Sequence, residues 1–207
     1  MDQQAAGVLA YISAHPELAA LVVGLTSFGE SFAFVNFIVP GGAVLIGAGM
    51  LVHSGVLDPV SILLAAVAGA VVGDAISYGI GWKFGTVLPR LWPFRKHPEV
   101  LERGVQFFKR YGQASVFIGR FFGPLRAVVP TTAGIVRMSP MTFMVATFIS
   151  ALIWAPVLMF AGILLDGTIA ADWSIQMKVA VIASAVIVVI LAIYAARRLF
   201  HVRYLPE

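Results

Sequence analysis

The chain has 207 residues, of which 60% are hydrophobic and 12% charged, with a net charge of +4 and no cysteine. That composition argues against a soluble domain, and the missing thiols exclude disulfides, thiol catalysis and cysteine-ligated metal or iron–sulfur sites. The basic residues cluster in two places without interleaved aromatics, the pattern of a topology signal and not of a nucleic-acid surface.

About twenty consecutive apolar residues cross a bilayer as a helix. The charge-free runs Met138 to Leu165 and Val179 to Ala196 are long enough, as is Pro59 to Trp82, which only Asp74 interrupts. A polytopic, all-α integral membrane protein follows. No Lys or Arg precedes Lys83, so the basic start of a removable signal peptide is missing and the first helix reads as retained. The stretch from Glu17 to Leu57 places Glu30 and the break Pro40-Gly41-Gly42 inside a long apolar region, which predicts a re-entrant hairpin over 17–57 entering from outside. The span from Pro59 carries Ser61, Ala65, Gly69, Gly73, Ser77, Gly81 and, just past it, Gly85 at every fourth position, a seam that lets another helix approach closely. Asp74 lies about two thirds along this span, one turn before Tyr78 on the same face, where a carboxyl needs a partner, a proton or water.

The linker 83–110 holds Lys83, Arg90, Arg95, Lys96, Arg103, Lys109 and Arg110 against Glu99 and Glu102, which makes it cytoplasmic by the positive-inside rule. Within it, His97 to Tyr111 mixes Val100, Val105, Phe107 and Phe108 with charges and reads as an interfacial helix against anionic lipid. Arg120, Gly123, Pro124, Arg126 and Pro130 then interrupt residues 111–136, and topological parity requires this segment to cross twice or not at all. It is predicted to be a second hairpin, followed by a span over 138–165. The segment from Asp166 to Lys178 faces outward, and a C-terminal span over 176–196 leads to cytoplasmic Arg197, Arg198 and Arg203. The N-terminus is therefore expected outside and the C-terminus inside, with Pro40, Gly41, Gly123, Pro124 and Pro130 as the hairpin breaks.

The two broken segments resemble each other at a shift of ninety positions. Gly29, Phe32, Val39, Pro40 and Ala43 match Gly119, Phe122, Val129, Pro130 and Ala133, and Glu30 falls opposite Arg120. Each is followed by an acceptor-Pro step, Asp58-Pro59 or Ser139-Pro140, and then by a span. The predicted architecture is an inverted repeat of hairpin plus span, 17–82 and 111–165, the arrangement by which many secondary transporters place a substrate between two broken helices.

Acids within a membrane mark proton relays and substrate paths, so Glu30 and Asp74 are candidate proton-coupling groups; the structural alternative pairs each with Arg120 or Arg126. The planar forks of Arg120 and Arg126 suit phosphate oxygens and make a candidate head-group site, against the alternative that they snorkel to the surface. Arg137 reads as an interfacial anchor, and Tyr11, Trp82, Trp92, Trp173 and Tyr194 as an aromatic belt. Enzyme signatures are missing: His15, His53, His97 and His201 are far apart in sequence, and no HExxH, GxSxG or phosphate-loop motif occurs. No catalytic residue, metal or cofactor is expected.

Three ordered motifs resemble the DedA family, also called SNARE-associated or VTT-domain proteins, over about residues 25 to 165. They are Gly29-Glu30-Ser31 to Val39-Pro40-Gly41; Gly73-Asp74 to Tyr78, Gly81 and Gly85; and Gly119-Arg120-Phe121 with Gly123-Pro124 and Arg126 to Val129-Pro130 and Ala133-Gly134. The resemblance implies paired re-entrant hairpins in a bacterial inner-membrane lipid transporter, with essential roles for an acid at Glu30 and arginines at Arg120 and Arg126. Many relatives carry a second acid two residues after the hairpin proline, where this chain has Gly42. The expected function is a flippase or scramblase for a phosphate-headed lipid, undecaprenyl phosphate or phosphatidylethanolamine, with protons as coupling ions and a homo-oligomer left open. A proton-coupled exporter of small cations, or a membrane assembly protein that transports nothing, are the alternatives.

Overall fold

The computed structural model describes residues 3–33, 35, 39–85, 87, 95, 98–121, 126 and 128–165. The predicted C-terminal span 176–196, together with Gly123 and Pro124, lies outside these residues. The described chain is helical: α1 (Gln3–Ala14), a 3-10 turn (Pro16–Leu18), α2 (Ala19–Ser31), α3 (Gly41–His53), α4 (Pro59–Phe84), α5 (Pro98–Tyr111), α6 (Ala114–Gly119), α7 (Val128–Ile135) and α8 (Pro140–Leu165). Among the described residues only α4 and α8 are single helices long and apolar enough to cross a membrane; α1 and α2, bent by 114° across His15, make together either a third, broken span or a re-entrant loop.

Both spans begin where their sequences say they should. Pro59 and Pro140 occupy first helical positions, where a missing N–H leaves no bond unmade. The Asp58 carboxylate accepts the backbone N–H of Ser61 at 2.7 Å and its hydroxyl at 2.6 Å, capping α4. The prolines of the broken segments sit at helix starts. Pro40 is the residue before α3 and Gly41 opens that helix, while Pro130 is the third residue of α7. Pro130 costs no helical bond there, because the first turn of a helix has no intrahelical acceptors for its N–H groups.

The exposed and buried faces have inverted polarity. Val60, Leu64, Val72 and Ile76 on α4, and Met141, Val145, Phe148, Ile149, Leu152 and Phe160 on α8, are exposed, whereas Asp74, Arg120, Arg126 and eight Ser or Thr side chains are buried. Such a surface is stable against hydrocarbon and not against water.

Two apolar clusters lie on either side of the buried charges. One collects Ile62, Ala66 and Ala70 of α4, Val44, Leu45 and Ala48 of α3, and Ala151, Trp154 and Met159 of α8. The other collects Tyr78 of α4, Val116 of α6, Val129 and Ala133 of α7, and Phe143 and Ala146 of α8. Along α4 the order is first cluster, Asp74, second cluster; along α8 it is second cluster, Ser150, first cluster. The two long helices therefore run antiparallel, with the charges at the level between the clusters.

The small-residue seam of α4 is shared. A Cβ at Gly69 would meet the backbone of Gly24 and Phe28, and one at Gly73 would meet Phe28 and Ser31, so α2 occupies that stretch. Ser77 extends it, accepting the Ala33 N–H at 3.1 Å and donating to the Gly73 carbonyl at 2.9 Å. Farther along, Gly81 faces the Thr131 backbone and Gly134 the backbones of Tyr78, Gly81 and Trp82, which brings α7 onto α4. In the other half Gly49 of α3 and Gly162 of α8 do the same. Within each broken segment a glycine before the break receives a valine after it, Gly29 with Val39 and Gly119 with Val129.

Two elements make contacts on which the sequence is silent. Residues 3–14 form a helix whose Ile12 is fully buried and whose Leu9 packs on Gly47 of α3. In α5, Gly104 lies against Val128 and Thr132 of α7, and the half-buried Phe107 and Phe108 pack on the second apolar cluster. Part of the apolar edge of α5 thus rests on protein, a contact that amphipathic periodicity does not reveal.

Candidate functional site

Four charges converge between the apolar clusters. Glu30 stands in the last turn of α2, one residue before the break, and its Oε1 lies 2.7 Å from a terminal nitrogen of Arg126. Arg126 also donates to the Ser31 hydroxyl at 3.2 Å, and its guanidinium stacks over the Trp154 ring of α8 at 3.9 Å from the centroid. Arg120, just beyond α6, pairs with Asp74 of α4 and donates from Nε to the Ser150 hydroxyl of α8 at 2.8 Å. Ser150 in turn donates to the Thr147 carbonyl at 2.9 Å.

Local sequence explains why these residues can meet. Gly29 and Gly119 admit Val39 and Val129, which turns each segment back immediately beside its charged residue. Gly41 and Gly42 let the first turn of α3 approach Glu30; a Cβ on Gly42 would lie 3.3 Å from Glu30 Oε1, and one on Gly41 closer still to Oε2. An acid at position 42 would therefore share space with the Glu30 carboxylate, and glycine there leaves one carboxylate where two would crowd.

The arrangement is electrically balanced, with two carboxylates and two guanidinium groups, as burial of charge requires. It is not saturated in hydrogen bonds. Glu30 Oε2, Asp74 Oδ1, Arg120 Nη1 and Arg126 Nε have no partner among the described residues, and neither have the hydroxyls of Ser27, Ser115, Thr131 and Thr147. Buried polar atoms usually find partners, so the four unpaired atoms of Glu30, Asp74, Arg120 and Arg126 leave the cluster with spare donors and acceptors among the described residues. Among the described residues no three His, Asp or Glu side chains gather as a metal-binding group.

The structure thus brings together Glu30, Asp74, Arg120 and Arg126, with Pro40 and Gly41 beside them at the start of α3. Arg137 lies elsewhere, exposed, its guanidinium 4.7 Å from the Trp82 ring centroid. Sequence reading missed Ser31, Ser150 and Trp154. Trp154 carried a signal, since it is a tryptophan in the middle of a span and not at an interface; the two serines carried none beyond being hydroxyls in apolar helices.

Comparison with known proteins gives the chain a family and relatives. Residues 39–164, more than half of the chain, match the VTT domain. The inner membrane protein YabI of Escherichia coli is 32% identical over 160 residues, 77% of this chain and 63% of that protein. Uncharacterized membrane proteins of Buchnera aphidicola (31% over 143 residues, 69% of this chain and 56% of the relative) and of Synechocystis (35% over 136 residues, 65% and 62%) are also similar. The chain spans less than two thirds of the length of these relatives. No solved structure matches it. The chain is a membrane protein of the VTT-domain, or DedA, family.

Proposed function

We propose that the protein moves a phosphate-headed lipid, of the kind represented by undecaprenyl phosphate or phosphatidylethanolamine, across a bacterial inner membrane. The observation that carries this reading is the pair of buried arginines on one broken segment, each held by a carboxylate and each retaining a donor without a partner among the described residues. Guanidinium forks suit phosphate oxygens, and a lipid whose tails stay in the membrane brings only its head group inside. The antiparallel α4 and α8, the matched Gly–Val contacts and the crossed Gly81–Gly134 and Gly49–Gly162 contacts support an inverted repeat of re-entrant hairpin plus span.

The chemistry that follows is exchange of anions at the arginines. A phosphate arriving at Arg126 displaces Glu30, and the balanced cluster then holds excess negative charge. A proton taken up by Glu30, or by Asp74 at the second pair, restores neutrality, so head-group entry and proton uptake become linked through a shared charge requirement. Topology in this reading keeps the N-terminus outside and the linker 83–110 in the cytoplasm.

Liposomes containing labelled undecaprenyl phosphate or phosphatidylethanolamine, with and without a pH gradient, test the proposal. Lipid movement is expected to be lost in Arg126→Ala and poorly restored in Arg126→Lys, since an ammonium cannot reproduce the fork. Glu30→Gln is expected to remove the pH dependence while leaving the protein folded. Transport unchanged in Arg126→Ala and equally pH-dependent in Glu30→Gln overturns the site; cation-dependent proton flux without lipid movement overturns the substrate.

A further inference from the structure

Beyond the second apolar cluster, where α4 ends and α8 begins, lies a groove of about 610 Å³ lined by Tyr78, Gly79, Trp82, Lys83, Arg137 and Pro140. It is separate from the Arg120–Arg126 cluster, because Tyr78 closes its inner wall. The Tyr78 ring stacks on Phe143 at 4.3 Å between centroids, and its hydroxyl donates to the Met138 carbonyl. Neither Lys83 nor Arg137 takes part in the chemistry proposed above.

The geometry points to a binding site here for the phosphate group of an anionic membrane lipid. Among the described residues the lining contains two cations and no carboxylate. Both cations are exposed, so they meet whatever enters the groove. Pro140 adds the first turn of α8, which has no acidic residue and whose N–H groups and dipole favour an anion. The groove lies at one end of both membrane-length helices, the depth at which lipid phosphates sit, and Trp82 and Tyr78 supply the amphipathic rings suited to that boundary.

Arg137 is also fixed in place. Its left-handed backbone, φ +57, is the C′ position that closes α7, with its N–H on the Gly134 carbonyl at 3.1 Å and the Met138 N–H on the Ala133 carbonyl at 3.0 Å. Its guanidinium lies 4.7 Å from the Trp82 ring centroid. Stacking leaves the edge of the guanidinium, with its N–H groups, directed away from the ring face, which is how a stacked arginine can still grip an anion. The volume falls within the range of small-ligand sites and accommodates a phosphate-bearing head group while the tails remain in the bilayer.

The test is a binding titration of the whole protein in phosphatidylcholine nanodiscs with dioctanoyl phosphatidic acid, dioctanoyl phosphatidylcholine and inorganic phosphate. It is run on the wild type and on Arg126→Ala, so that binding at the interior cluster is counted separately. Dioctanoyl phosphatidic acid is expected to bind in both backgrounds, and Lys83→Gln and Arg137→Gly are each expected to weaken it by about tenfold, the scale of one charge-assisted contact. Glycine adopts φ +57 without strain, so Arg137→Gly removes the guanidinium and keeps the turn; Lys83→Gln, at an exposed helix end, gives a second route to the same answer. Equal affinity in both variants overturns the site. Equal binding of phosphatidylcholine reduces it to ordinary lipid contact, and equal binding of inorganic phosphate assigns it to a soluble anion; either result overturns the lipid assignment. Loss of all binding in Arg126→Ala likewise overturns a separate site, whereas lost transport with retained binding bears only on the interior cluster.

Discussion

The two halves of the molecule share a packing plan and differ in charge. In each, a glycine before the break receives a valine after it, and the returning helix crosses the long helix of the other half at a pair of glycines. At the matched positions next to those glycines stand Glu30 and Arg120, whose partners are unlike. Glu30 reaches the other broken segment at Arg126, and its side chain keeps 18% of its accessible surface; Arg120 reaches Asp74 on a long helix, and both members of that pair are sealed at 3% and 4%. Arg126 itself keeps only 5%, so the opening of the first pair is on its acid side. Equivalent scaffolds thus carry one pair whose carboxylate is partly open and one pair closed on both sides, and the closed pair also ties α6 to α4 and α8.

The sharpest way to break this distinction is to remove one acid at a time. Asp74→Ala leaves Arg120 buried without its counter-charge and is expected to destabilise the protein by about 3–5 kcal/mol, with Arg120→Ala added in the same chain recovering part of the loss. Glu30→Ala is expected to cost less, because water can reach that site. Thermal unfolding of the detergent-solubilised variants reads both; equal losses would erase the difference between a sealed and an open pair.

The shared packing plan is tested at the glycine crossings. Gly81→Val and Gly162→Val each drive a side chain into facing backbone, Thr131 in one half and Ile46 in the other, and are expected to destabilise by at least about 1–3 kcal/mol, alike in both. Tolerance of one and not the other would mean that the likeness between the halves ends at the sequence match.

The smallest expected effect separates the helix starts. Asp58 is fully exposed, and the bonds from the Ser61 hydroxyl and N–H hold its carboxyl below the usual aspartate range. The folded group is the stronger acid, so the cap contributes above the ordinary pKa of about 3.9 and is lost as pH falls through the lower folded value. Ser139 precedes Pro140 in the other half and does not titrate there. Amide exchange in the first turn of α4 should therefore quicken in acid, beyond the intrinsic rate change, while that of α8 does not. Parallel behaviour would show that the Asp58 bonds do not hold the turn.

Much of this was legible in the sequence because it rested on period and length. The predicted spans 59–82 and 138–165 overlie α4 and α8 almost completely, and the every-fourth-residue seam is the surface on which α2 and α7 sit. Glu30, Asp74, Arg120 and Arg126 stood out because charge at membrane depth is expensive. Which acid meets which arginine was not legible, since that depends on how two breaks fold back in space. The covering of α5 by α7 was hidden for a related reason: an apolar edge is the same string of letters whether lipid or protein lies on it. The helix over 3–14 was passed over because it is too short to cross alone, although shortness does not prevent it from packing on α3.

The seam on α4 has a geometric corollary. Its notches recur every four residues, and four residues of helix rise about 6 Å. To a partner helix the notches are unequal, because a Cβ at Gly69 or Gly73 would strike the α2 backbone while Ala65 and Ser77 carry one. A partner displaced along α4 by a fraction of that distance would set its backbone against larger side chains, and displaced by the whole of it would bring the Phe28 backbone from Gly73 to the Cβ of Ser77. Helix α4 is in this respect a keyed rail: the glycines cut one seat for α2, and the seam fixes its register.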